Sequence, residues 1–145
     1  MDIAHLPFVG FRLDGLSVEL TMLVLASVLG IFQLCIYGIW LNHEKGLEWN
    51  LSARDEPGKP VGKIVGRLER AFRNFMETYP FFATAVIVAA ISGKNSTLTF
   101  WGTQIYLAAR IVYLPLYAFG VPVLRTVAWL ISLGGLAIVV KALFL

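Results

Sequence analysis

The chain has 145 residues, of which 58% are hydrophobic and 14% charged, and its mean hydropathy is +0.75. Soluble domains average about 45–50% apolar and about 25% charged residues, so this chain has too few polar residues to cover a soluble surface. The same composition excludes an intrinsically disordered chain, and the single cysteine, Cys35, excludes a disulfide-rich secreted domain. Of these classes of protein, only an integral membrane protein fits the composition. Because the formal net charge is only +3, the positions of the charged residues matter more than their total.

Four apolar stretches are long enough to cross a membrane as helices. A hydrocarbon layer of ~30 Å needs about 20 apolar residues in an α-helix, which satisfies its own backbone hydrogen bonds there. We therefore expect an all-α, integral membrane four-helix bundle. It forms a single domain over residues 1–145, with helices at about 18–41, 62–91, 98–119 and 122–145.

The positions of lysine and arginine predict how the chain is oriented in the membrane. Residues 1–17 lack a basic start and a small-residue cleavage site, so we expect a retained lead-in and not a signal peptide. Cytoplasmic loops carry an excess of Lys and Arg. The first connection and the helix start after it carry most of these residues, namely Lys45, Arg54, Lys59, Lys63, Arg67 and Arg70. Both termini are therefore predicted outside, with the first and third connections in the cytosol.

Polar residues line one face of the second predicted helix. Arg70, Arg73, Asn74 and Glu77 follow at i, i+3, i+4 and i+7, which places them on the same side. Arg73 is expected to pair with Glu77 along the helix, which leaves surplus positive charge. One alternative is an ion pair that only holds this helix against its neighbours. A buried surplus charge is costly unless an anion binds, so the cluster favours an anionic ligand reached from the cytosol.

The third and fourth predicted helices carry further polar residues. Tyr106, Arg110, Tyr113 and Tyr117 share one face of the third helix, and we expect Arg110 and Tyr113 to face a polar cavity. The alternative is that the tyrosines anchor the helix at the membrane interface. Arg125 lies at the start of the fourth helix, where the helix dipole favours an anion, and it could hold a thiolate or an oxyanion. The alternative for Arg125 is snorkelling to lipid phosphates.

Other kinds of site find little support in the sequence. His5 and His43 are far apart and form no metal-binding set. Cys35 lies in an apolar run and is expected to pack rather than to react. No nucleophilic triad, phosphate-binding loop or nucleic-acid motif is found, so we expect neither a metal nor a nucleic-acid partner.

Residues 69–81, Glu-Arg-Ala-Phe-Arg-Asn-Phe-Met-Glu-Thr-Tyr-Pro-Phe, closely resemble the second-helix signature of the MAPEG family. These are membrane-associated proteins of eicosanoid and glutathione metabolism. The resemblance covers the whole four-helix layout and implies a homotrimer with glutathione held between adjacent subunits near the cytosolic face. It implies that glutathione is contacted by Arg70, Arg73, Asn74, Glu77, Arg110, Tyr113 and Tyr117. Arg125 matches the arginine that the family places at the glutathione sulfur.

Three positions depart from the pattern of the mammalian enzymes. Tyr113 stands where the family's prostaglandin synthase has histidine, Thr126 replaces a serine, and Trp129 replaces a tyrosine. These departures argue against prostaglandin isomerase and leukotriene synthase activity. The sequence is more similar to bacterial members, which implies a multi-pass protein of a bacterial inner membrane with its site facing the cytosol.

The resemblance implies a glutathione-dependent transferase or peroxidase that acts on lipophilic small molecules dissolved in membrane lipids. Arginines can bind the two carboxylates of glutathione as bidentate forks, and Glu77 can bind its ammonium group. A nearby cation such as Arg125 can lower the pKa of a thiol from about 8.5 to about 3.5–7.5. One alternative is a catalytically silent MAPEG-fold protein that binds glutathione or serves as an assembly subunit. A small transporter is disfavoured, because Arg73 beside Glu77 would keep that acid ionised and repel cationic drugs.

Overall fold

The computed structural model describes residues 11–145, and these form five helices and no strand. The expected all-α architecture of four long helices is confirmed, and the short helix in the first connection is the one element that the sequence pattern did not predict. Part of the expected lead-in, residues 1–10, lies outside the described residues. The helices in chain order are α1 (Val18–Lys45), α2 (Leu47–Leu51), α3 (Lys63–Ile91), α4 (Thr97–Phe119) and α5 (Pro122–Ala142).

The helix ends follow local capping signals. The Ser17 hydroxyl accepts a hydrogen bond from the Leu20 amide at the start of α1, and Ser96 and Thr99 form a capping box at the start of α4. The first helix continues past its predicted end at residue 41 to Lys45. The polar residues there do not interrupt a helix, whereas the following Gly46, at φ +88°, does. α5 ends at residue 142 instead of the predicted 145.

Three of the long helices, α1, α3 and α5, are long and apolar enough to cross a membrane. α4 is not among them, which departs from the expectation of four apolar spans. Its 23 residues are nevertheless about 35 Å long and match the thickness of the hydrocarbon layer. Its polar side chains Thr99, Thr103, Tyr106 and Arg110 are buried among the other helices. Burial of these groups lets α4 lie in the bundle without exposing them to lipid.

The contact between α4 and α5 is close because two glycines face each other. A Cβ atom on Gly135 would lie 2.7 Å from the Tyr106 amide nitrogen, and one on Gly102 would lie 2.9 Å from the Gly135 carbonyl oxygen. Small residues allow helix backbones to approach in this way within a membrane. The contact sets the position of Arg110 on α4 relative to Arg125 on α5.

Polar contacts join the helix ends on the side of the bundle where α5 begins. Gly120, at φ +76°, closes the turn between α4 and α5. The Arg67 guanidinium of α3 donates a hydrogen bond to the Ala118 carbonyl at 3.2 Å, where the helix dipole of α4 favours a cation. The Glu44 carboxylate of α1 accepts a hydrogen bond from the Gly62 amide at 2.5 Å, just before α3. The end of α1, the start of α3 and the α4–α5 turn therefore lie together.

Candidate functional site

Arg110 lies in the interior of the bundle and is 1% exposed. Its Nη1 donates a hydrogen bond to Asn74 Oδ1 at 2.8 Å, and its Nη2 donates to Thr78 Oγ1 at 2.5 Å. The rings of Tyr106 and Tyr113 flank the guanidinium, with centroids 5.6 and 5.5 Å from its central carbon. Within residues 11–145, no carboxylate forms an ion pair with Arg110. The site therefore contains a buried positive charge that only neutral groups contact.

The polar face of α3 is arranged differently from the expectation. Arg73 donates to Glu69 at 2.8 Å, and Glu77 instead accepts a hydrogen bond from Asn74 Nδ2 at 3.3 Å. The predicted pair of Arg73 with Glu77 is therefore wrong. Both acids are four residues from Arg73, but a carboxylate on the N-terminal side of its cation is the more favourable arrangement in a helix. The surplus charge of this face is also smaller than expected, because Glu69 compensates Arg73.

Arg70 and Arg73 lie on the outer surface of α3. Arg73 is 66% exposed, and Arg70 is exposed as well. The Arg70 side chain folds back along its own helix, so that a Cβ atom on Gly66 would lie 3.3 Å from Arg70 Nη1. These two predicted site residues are thus outside the buried cluster around Arg110.

A cavity of about 190 Å³ lies where α3, α4 and α5 meet. Four predicted site residues line it, and one of these is Asn74. Arg110 and Glu77 do not line the cavity, but both are hydrogen-bonded to Asn74. Arg70 and Arg73 do not line it. The lining residues are Asn74, Tyr113, Tyr117, Arg125, Thr126 and Trp129.

Arg125 lies at the start of α5 and contacts the face of an aromatic ring. Its guanidinium carbon is 4.5 Å from the ring centroid of Tyr117, and that ring meets Tyr113 edge to face at 5.4 Å. Cation–π contacts of this kind contribute about 0.5–2 kcal/mol and orient the cation. The Arg125 guanidinium makes no hydrogen bond or ion pair within residues 11–145, so its N–H donors remain available to a ligand. Thr126 Oγ1, in contrast, donates to the Pro122 carbonyl at 3.0 Å.

A model of the MAPEG family matches residues 20–145, nearly the whole chain. The chain belongs to the MAPEG family. The match includes α3, α4 and α5 in full and thus every residue that lines the cavity. Comparison with curated proteins gives no match. Membership of this family together with three apolar helices makes the chain an integral membrane protein with a function related in general to glutathione.

Thr78 was not singled out from the sequence, and Trp129, like Thr126, was named only as a departure from the mammalian pattern and not as a site residue. Thr78 binds Arg110, and the Trp129 Nε1 atom is buried without an acceptor within residues 11–145. A buried donor left without a partner costs about 1–3 kcal/mol. Both residues follow a predicted site residue by four positions, Asn74 and Arg125 respectively, so helical periodicity could have identified them.

A buried acid lies at the opposite end of this MAPEG bundle and was also not predicted. Glu19, in the first turn of α1, is 5% exposed and accepts a hydrogen bond from Thr99 Oγ1 at 2.8 Å. Both residues lie in the first turn of their helices, where the dipole stabilises a carboxylate. This contact joins α1 to α4 far from the cavity.

In the described part of the chain, no three His, Cys, Asp or Glu side chains come together as metal ligands would.

Proposed function

We propose that this MAPEG protein is a membrane-bound, glutathione-dependent transferase or peroxidase for lipophilic electrophiles, in which Arg125 stabilises the glutathione thiolate. The observation that carries the proposal is the cavity of α3, α4 and α5, in which Arg125 has free donors near the buried Arg110. Two guanidinium groups without a carboxylate partner in the described chain favour an anionic ligand inside a membrane bundle. The family's association with glutathione identifies an anion of suitable chemistry.

Arg125 lines the cavity, and Arg110 and the exposed Glu77 are both hydrogen-bonded to its lining residue Asn74, so together they offer a partner for each charged group of glutathione. Arg110 retains a buried Nε–H without an acceptor in residues 11–145, which suits a carboxylate. Glu77 uses one carboxylate oxygen for Asn74, and its other oxygen suits the ammonium group. Arg125 combines its own charge with the dipole at the start of α5, so it suits the sulfur, whose thiolate form a nearby cation stabilises.

We further propose that a second subunit completes the site. The cavity of about 190 Å³ is smaller than the roughly 300–1,000 Å³ typical of small-molecule pockets. Arg70 and Arg73 lie on the outer surface of α3, where a neighbouring subunit of a homotrimer could use them. Glutathione would then bind between subunits. The cavity lies near the lysine-rich and arginine-rich first connection, which supports a site on the cytosolic side of the membrane.

The chemistry that follows is nucleophilic attack by the sulfur that Arg125 holds. With a carbon electrophile, a sulfur–carbon bond forms and the electron pair passes to the leaving group or to an oxygen. With a lipid hydroperoxide, the sulfur attacks the terminal peroxide oxygen, the lipid alcohol is released and a glutathione sulfenic acid remains. A second glutathione then attacks that sulfur, which forms the disulfide and releases water. The electrophile would enter the site from the lipid, because the surrounding helices are apolar.

A catalytically silent glutathione binder is the second candidate, and one observation favours it. The Thr126 hydroxyl donates to the backbone of its own helix, so its proton is not available to a thiolate. If Arg125 alone does not ionise the thiol, glutathione would bind without reacting.

Calorimetric titration of the detergent-purified protein with glutathione tests the proposal. We expect a dissociation constant in the millimolar range or tighter, and thiolate absorbance in the bound state. Weaker binding would contradict any glutathione-dependent function. Tight binding without thiolate absorbance would identify the silent binder.

A further inference from the structure

A groove of about 290 Å³ lies between α1 and α4. Two of the side chains that line it, Met22 of α1 and Leu107 of α4, are only 5% and 6% exposed, whereas Ile111, which also lines it, is 52% exposed. The groove therefore has a buried apolar floor and is open at the surface of the bundle. Because exposed apolar side chains of a membrane helix contact acyl chains, the groove opens to the lipid.

This groove and the cavity that contains Arg125 lie on opposite sides of α4. Gln104, Ala108 and Ile111 line the groove, whereas Tyr113 and Tyr117 line the cavity. With 3.6 residues per turn, Ala108 and Tyr113 are about 140° apart around the helix. A molecule in the groove is therefore separate from one in the cavity.

Among the described residues that line the groove, only Gln104 has a polar side chain. Its Nε2 donates a hydrogen bond to the Phe100 carbonyl at 3.2 Å, which fixes the orientation of the amide, since the reverse orientation would oppose two oxygens. Its Oε1 accepts no hydrogen bond within residues 11–145 and keeps accessible surface. A carbonyl oxygen binds only donors, so the groove offers an acceptor to the molecule that enters it.

The depth of Gln104 restricts which donors can reach it. It lies seven residues after Thr97, the first residue of α4, which is about 10 Å along the helix axis. Because α4 matches the thickness of the hydrocarbon layer, this depth is below the headgroups, where water is absent. An unpaired carbonyl oxygen costs free energy there, and so does an unpaired hydroxyl on a lipid chain. A hydrogen bond between the two removes both costs.

We propose that the groove binds an oxidised acyl chain, whose hydroxyl or hydroperoxide group donates a hydrogen bond to Gln104 Oε1. The headgroup of a lipid and the hydroxyl of a simple fatty alcohol stay at the membrane surface, where water satisfies them. An O–H group partway along a chain lies in the hydrocarbon layer and has no water partner there. The inference goes beyond the proposed function, because this binding needs neither glutathione nor the cavity.

Four methyl esters that share one octadecadienoate chain test the proposal. Their ninth carbon carries a hydroxyl group, a hydroperoxide, a ketone or no oxygen. Each competes with a radiolabelled copy of the unsubstituted ester for the full-length protein in detergent micelles without glutathione. We expect the hydroxyl and hydroperoxide esters to bind about 5-fold more tightly than the other two, as for the gain of one hydrogen bond. Gln104→Met, which keeps the length of the side chain and removes the acceptor, should abolish this preference.

The same competition distinguishes the two sources of the O–H group. Tighter binding of the hydroperoxide would identify peroxidised lipid as the occupant, and tighter binding of the hydroxyl ester would identify its reduced product. Equal affinity of all four esters, or a preference that survives in Gln104→Met, would overturn the inference. Either result would leave the proposed function intact, because glutathione titration tests that function separately.

A second pair of variants tests the groove without altering Gln104. Ala108→Leu places a larger side chain in the groove and should weaken the binding of all four esters. Ala137→Leu makes the same change at an exposed position of α5 that does not line the groove, and it should leave all four affinities unchanged. Equal affinities of the Ala108→Leu variant and the wild type, or an equal loss in both variants, would overturn the inference.

Discussion

Arg125 contacts the protein through the face of Tyr117 and leaves its N–H donors free, so its replacement should affect the ligand more than the fold. We expect Arg125→Ala to keep the glutathione affinity within ~10-fold of wild type, since the carboxylates bind other residues. The thiolate absorbance and the turnover should both be lost, because the sulfur loses its nearest cation. Lys141→Ala removes a cation from the far end of the same helix and should change neither property. Undiminished thiolate absorbance in Arg125→Ala would rule out this role.

Arg110 and Arg67 both donate hydrogen bonds from one helix to another. Replacement of Arg110 by methionine should nevertheless affect glutathione affinity, whereas replacement of Arg67 should affect stability. Arg110→Met should leave the thermal unfolding midpoint about unchanged, because relief from burying an unpaired charge offsets the loss of the hydrogen bonds to Asn74 and Thr78. Its glutathione affinity should fall at least ~10-fold, since a hydrogen bond to a charged group contributes about 1.5–3 kcal/mol. Thermal unfolding and calorimetry measure the two effects.

Arg67→Met is the matched control for that experiment. It removes a cation from the end of α4 and should lower the unfolding midpoint by the equivalent of about 1 kcal/mol, with the affinity unchanged. If Arg110→Met behaved in this way too, Arg110 would be a structural residue and not a ligand.

At the scale of the helices, the α4–α5 contact allows a test with two adjacent glycines. A Cβ atom on Gly135 would lie 2.7 Å from a backbone nitrogen of α4, whereas one on Gly134 would meet nothing within 4 Å. We expect Gly135→Ala to force the helices apart, lower the unfolding midpoint and weaken glutathione binding, because Arg110 and Arg125 stand on the two separated helices. Gly134→Ala should match the wild type in both measurements. Equal effects of the two variants would mean that the close contact does not position the site.

α4 also shows why hydropathy alone describes a membrane helix incompletely. It is not among the helices identified as apolar enough to cross a membrane, yet its polar side chains Thr99, Thr103, Tyr106 and Arg110 are buried in the bundle. Periodicity predicted the helix and grouped Tyr106 with Arg110, but it did not single out Thr99 and Thr103. The low hydropathy therefore reflects polar groups that the other helices shield from lipid.

At the scale of the whole molecule, we expect a homotrimer of three times the 16.1 kDa chain mass, with sites shared between subunits. Mixing Arg125→Ala subunits with Arg73→Ala subunits tests this arrangement. If Arg73 and Arg125 of different subunits meet at one site, some sites in mixed trimers contain both arginines. These sites should bind glutathione with wild-type affinity and show thiolate absorbance, whereas Arg73→Ala alone should bind it more weakly and Arg125→Ala alone should show no thiolate. Each variant alone provides the control without such sites. No recovery in mixed assemblies of confirmed trimeric mass would place both arginines in one subunit.

The sequence by itself determined the four long helices and the shared faces of the predicted polar residues, because helical periodicity is a local property. Only the tertiary structure decided that Arg110 meets Asn74 and Thr78, since those residues lie 36 and 32 positions away and the contact depends on how α3 and α4 dock. The stacking of Arg125 on Tyr117 likewise requires the turn between α4 and α5. Local spacing selects a face, whereas helix packing decides which faces meet.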